Sequence, residues 1–115
     1  MTNEIKGEFE SGRVWVDGKK LMLVPSLKVF NHSPDGFAWG YAGSGPAQLA
    51  LTVLMVFIDN DSAVRLHQTF KSDALVLLDR ESDFTILIDV RYWIEREAKT
   101  FSITPQFHNQ TVPVS

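Results

Sequence analysis

The chain has 115 residues, with 11 Lys and Arg against 14 Asp and Glu, a formal charge of -3 and no cysteine. That length fits one domain with its own core, and the lack of thiols excludes disulfides, thiol nucleophiles and thiolate metal sites. The charge contains no basic block, which disfavours nucleic-acid binding by phosphate neutralisation, and the first six residues lack the apolar stretch of a secretory signal, so the expected compartment is the cytoplasm.

Residues 7–10, 13–16 and 19–23 read as strands, with Val14 and Val16 alternating against Trp15. Asp17-Gly18 between the second and third is a two-residue hairpin signal, because a type I′ turn needs positive φ at both central positions. Residues 27–30, after Pro25, read as a fourth extended segment. Asn31-His32-Ser33-Pro34-Asp35-Gly36 concentrates turn formers and predicts a surface loop.

Pro46 suits the first turn of a helix spanning residues 47–58, with Gly45 or Ser44 as its cap and Gln48 reaching back to that cap. Only Gln48 and Thr52 are polar in this segment, so the helix is apolar around most of its circumference and belongs at the centre of the core. Its apolar run is about half the ~20 residues that a bilayer crossing requires, which argues for a buried helix and no membrane association. Asp59-Asn60-Asp61-Ser62 ends this helix and caps a second, and so short a connection predicts an antiparallel pair. Ala63, Leu66, Phe70, Ala74 and Leu77 form the inward stripe of that second helix. Residues 84–88 read as a short strand or extended link, and Val90, Trp93, Ile94 and Ala98 mark a third helix over residues 89–99.

The expected fold is therefore α+β: a small N-terminal antiparallel sheet packed on an antiparallel helical hairpin, with a third, C-terminal helix completing the core. Residues 1–100 make one domain, and residues 101–115 an extended or partly mobile tail. Asn109-Gln110-Thr111 matches a glycosylation sequon, read as accidental without a signal sequence.

Several residue types invite a chemical reading. His32, Ser33 and Asp35 are the types found in acyl-transfer sites, although turn formation accounts for them without catalysis. The Gly43-Ser44-Gly45-Pro46 turn could hold a small anion at a helix N-terminus, but it lacks the Lys of a phosphate loop, and Pro46 removes a donor. Trp15, Trp39, Tyr41 and Trp93 are either a recognition surface or ordinary core; the stripe favours core for Trp93, while Trp39 and Tyr41 flank glycines and stay open. Gln48 and Thr52 share one helix face as a buried polar pair. His67 and His108 have no partner at metal-ligand spacing, so neither a metal nor a cofactor is expected.

Asn31-His32-Ser33-Pro34-Asp35-Gly36-Phe37, followed by Trp39-Gly40-Tyr41 and Gly43-Ser44-Gly45-Pro46-Ala47-Gln48-Leu49-Ala50-Leu51, resembles the signature of a family of uncharacterised domains found in bacteria, their phages and plasmids. The resemblance extends from the Val16-Asp17-Gly18 hairpin to the Trp93-Ile94 helix and leaves out the chain from Phe101 onward. Ala42 stands where similar sequences are expected to have glycine, and Leu87 and Ile88 stand near an expected polar helix cap. The resemblance implies a setting in mobile DNA and supplies no catalytic residues.

The leading expectation is a non-enzymatic module that binds a host or phage protein, as an accessory or inhibitory protein of a mobile element, through His32, Asp35, Trp39, Tyr41, Ser44 and Gln48. The alternative is a sensor of a small molecule or anion, or a small enzyme, using the loop of residues 31–44 with Gln48. A nucleic-acid patch around Arg91, Arg96 and Lys99 ranks third.

Overall fold

The computed structural model describes residues 1–108. Strand β1 (Asn3–Gly7) lies between β2 (Val14–Val16) and β4 (Phe84–Ile88), and β3 (Lys19–Lys20) completes an antiparallel sheet in the order β3-β2-β1-β4. Register pairs Ile5 with Val16 and with Ile86, so alternate residues on three strands point to one face and bury Ile5, Val14, Val16 and Phe84. Asp17 and Gly18 have φ of 51° and 82°, the backbone that a type I′ turn demands, and they set Val16 opposite Lys19. The first strand runs earlier than residues 7–10 because residues 9–11 form a turn, in which Gly12 N–H bonds Glu8 O and Glu8 N–H bonds Arg13 O.

Four helices cover the buried face: α1 (Leu23–Val29), α2 (Ser44–Phe57), α3 (Asn60–Phe70) and α4 (Val90–Thr100). Helix α1 corrects the expected extended segment at residues 27–30 and shortens the expected third strand to Lys19–Lys20. Pro25 stands at its third helical position, where a missing N–H costs no intrahelical bond, and Ser26, its one fully buried residue, bonds Leu23 O through its hydroxyl. Only Phe30, the C-cap, is extended.

Helix α2 begins at Ser44 with Gly43 as N-cap, which corrects the expected cap at Gly45 or Ser44, and its residues from Gly45 to Leu54 are buried. Asp59 accepts from Ser62 N–H at 3.0 Å and caps α3. The two helices form the expected antiparallel hairpin across a two-residue link. Ala63, Leu66 and Phe70 face inward as the stripe requires, but residues 71–75 wind into a π-turn marked by Val76 N–H bonding Lys71 O. The extra residue in that turn advances the phase, so Leu75 is buried and Leu77 is 94% exposed.

Strand β4 runs to Ile88, and Asp89 then caps α4 by accepting from Tyr92 N–H, so the helix needs no polar cap at residues 87–88. Val90, Trp93, Ile94 and Ala98 are all buried. After a turn at Phe101 and Ser102, where Ser102 has φ 54°, residues 103–108 lie outside any helix and are docked: Phe107 bridges Ile58, His108 N–H bonds Phe57 O, and Asp59 and Gln106 exchange two bonds. Ile103 and Phe107 are partly buried and pack against the core. The sequon and the rest of the predicted tail lie outside the described residues. Among the described residues, no helix is long and apolar enough to cross a membrane.

Candidate functional site

The glycine-rich loop between α1 and α2 turns Trp39 into the core. Trp39 is 2% exposed, packs edge-on against Phe84 at 4.7 Å and donates its indole N–H to Ser82 O. It is a core residue, so of the two readings open for it, recognition surface or core, burial favours core. Gly40 has φ +85°, donates its N–H to Leu75 O, and sits so close to Arg80 that a Cβ would lie 2.5 Å from its backbone. The Arg80 guanidinium in turn lies 4.2 Å from the Tyr41 ring centroid. Tyr41 is half-buried, and a Cβ on Gly45 would meet its hydroxyl and the Ala38 side chain. These contacts explain why the loop needs glycine beside aromatics, and they use up the aromatics in doing so.

Gln48 is fully buried and bonded at both ends of its amide. Its Oε1 accepts from the backbone N–H groups of His32 (2.7 Å) and Ser33 (3.1 Å), and its Nε2 donates to Ser26 Oγ (2.9 Å). It therefore ties the loop and α1 to α2, which corrects the expected reach back to the helix cap. Thr52 Oγ1 donates to Gln48 O, so the predicted polar pair is satisfied within the core. Ser33 Oγ donates to Gly36 O. Asp35 and Ser44 stay exposed at the surface of the same loop.

The structure joins two histidines 35 residues apart, with His32 Nε2 and His67 Nε2 separated by 2.9 Å. His67 Nδ1 lies 2.6 Å from Val64 O, and a carbonyl can only accept, so Nδ1 carries the hydrogen. Neutral His67 then offers Nε2 as an acceptor, and His32 Nε2–H donates. Burial holds both imidazoles below their ordinary range; the Lys71 ammonium adds to this at each, and the His32 ring adds to it at His67, where the bond to Val64 O opposes it. Phe30 stacks on His32 at 4.3 Å and 13°. His32 thus faces His67 and not Ser33 or Asp35, so the acyl-transfer residue types are not brought into a nucleophile–base geometry. Among the described residues, no three His, Cys, Asp or Glu side chains cluster as metal ligands would. The sequence alone suggests a helix-surface or partly packed place for His67; the structure corrects this, leaving it 3% exposed against His32, a partner that no local signal marks.

A second region, unmarked by any motif, lies on the outer side of α1. Met22 and Val24 are 63% and 58% exposed. Met22 forms a ridge between two apolar grooves that share Lys20, Leu21 and Met22. One groove, of about 310 Å³, is walled by Val16, Leu21, Pro25, Met55 and Val56; the other, of about 300 Å³, by Leu23, Val24, Gly36 and Phe37. Their charged lining residues are Lys19, Lys20 and Arg13, all cationic. By contrast, the groove on the open face of the sheet, beside Trp15, mixes Lys6 with Glu4, Glu8 and Asp83. Val24 and Lys28 stand four residues apart on one helix face, so α1 extends the same combination of apolar and cationic surface.

A family model described as "Family of unknown function (DUF6166)" matches residues 5–96, which is most of the chain, and the protein belongs to that family. The matched span contains the sheet from Ile5 onward, all of α1, α2 and α3, and both regions described above. Neither the curated proteins nor the solved structures contain a match.

Proposed function

We propose that this member of the family is a non-enzymatic protein-binding module and that the double groove around Met22 is its binding surface. One observation carries the reading: Met22 and Val24 stay open to solvent on a concave, cation-rimmed apolar surface, whereas Leu77 and Leu87, exposed elsewhere, line none of the grooves described above. His32, Ser33 and Trp39 of the glycine-rich loop have internal hydrogen-bond partners, which favours a structural role for the loop over an anion sensor or an active site. The resemblance of that loop to domains of bacteria, phages and plasmids supports an accessory role on mobile DNA, in which the module masks a host protein.

The test is capture from a lysate of the source cells with tagged wild type beside the double variant Met22→Glu, Val24→Glu, with melting temperature as the folding control. The expected result is a specific protein retained by wild type and lost by a variant of unchanged melting temperature. Equal retention by both chains would remove the Met22 surface from the function, and no retained protein would remove protein binding itself.

A further inference from the structure

We infer that the occupant of the double groove is an acidic, amphipathic helical segment of another protein, an inference that rests on the protein-binding reading above. The charge argument comes first. The chain as a whole carries -3, yet the grooves are lined by Arg13, Lys19 and Lys20 without a carboxylate, so the local sign opposes the global one. Acidic surfaces gain no net attraction from a chain of charge -3 but are attracted by these three cations, which favours docking here.

The relief of the surface selects the secondary structure of the partner. Two apolar hollows on either side of one ridge accept side chains that project from a single face at helical spacing, as amphipathic helices do when they lie in grooves. A strand adding to the sheet is poorly served at this edge: β3 has two residues, and Leu21 N–H is already bonded to Val14 O. A bilayer would take up a projecting apolar face, whereas here much of the apolar area lines hollows. The partner therefore supplies apolar anchors to the hollows and carboxylates to the three cations on the rim.

The experiment uses the full chain with a photo-crosslinking benzoylphenylalanine in place of Val24. Irradiated in source-cell lysate, it marks the contacting segment, which mass spectrometry then sequences. In parallel, isotopically labelled wild type is titrated with two synthetic helical peptides that share their apolar residues, one flanked by Glu and Asp and the other by Lys, and with phosphatidylserine vesicles. The expected adduct is a net-negative segment with apolar residues at helical spacing. The acidic peptide should perturb the amides of residues 19–24 and 52–56, and Lys19→Glu with Lys20→Glu should weaken it by roughly tenfold or more at unchanged melting temperature. An adduct on a neutral or basic segment, or equal binding of both peptides, overturns the acidic helix while leaving protein binding in place. Vesicle binding with neither adduct nor peptide binding overturns both.

Discussion

The glycine-rich loop and the Met22 surface are built from opposite materials and reach opposite ends. The loop gathers the residues that usually attract a functional reading, His, Ser, Asp, Trp and Tyr, and the fold consumes most of them. Trp39 fills the core, Gln48 is bonded at both ends, and His32 turns to His67. The Met22 surface contains Met, Val, Pro and Lys in no recognisable order, and there exposed apolar groups border two apolar grooves. Residue type alone therefore misleads; what decides is whether a group already has a partner inside the molecule. Among the described residues, every buried side-chain nitrogen and oxygen does.

That contrast can be broken most decisively at Trp39. Its truncation to alanine should cost about 3–5 kcal/mol in denaturant unfolding, because it empties a buried site and strands the Ser82 carbonyl. A loss below about 1 kcal/mol would return the indole to the surface. Gln48→Leu keeps the apolar volume but leaves the amides of His32 and Ser33 and the Ser26 hydroxyl short of partners, and should cost about 2–3 kcal/mol. A neutral outcome would mean that the loop is held by other contacts.

The histidine pair makes a smaller, pH-dependent contribution. Both imidazoles titrate lower in the folded chain than in the unfolded one, so the unfolded state takes up protons first as the pH falls. Stability is complete above the ordinary imidazole value, about 6.5, and is lost as the pH falls through the folded values. Melting temperatures measured from pH 7.5 to 5 should decline for wild type and decline less steeply for His67→Phe; parallel slopes would place the sensitivity elsewhere. Smallest in stability is the double change Met22→Glu, Val24→Glu, which should stay within about 0.5 kcal/mol of wild type, because neither side chain supports the core.

Much of the fold was legible in the sequence because its signals are local. Asp17-Gly18 specifies its turn, Pro46 marks the first turn of α2, and Val90, Trp93, Ile94 and Ala98 mark the inner face of α4. The failures involve distant partners. Pro25 read as the entrance to a strand, yet Ser26 meets Gln48 across 22 residues and the chain between Met22 and Phe30 winds into α1. Leu77 fitted the stripe of α3 until a π-turn shifted the phase. Nothing local links His32 to His67, and nothing in residues 101–108 announces that they will pair with the end of α2. The grooves were hidden for the same reason, since β2, β3, α1 and α2 contribute to one wall and the distant Gly36 and Phe37 to the other.

The most direct test of the division between an architectural loop and a binding surface is partner capture by two variants matched for folding. One carries Asp35→Ala with Ser44→Ala, which alters the exposed loop side chains; the other carries Met22→Glu with Val24→Glu. The account predicts that the loop variant retains the wild-type partner and the surface variant loses it, with both melting temperatures unchanged. Loss from the loop variant with retention by the surface variant would contradict it.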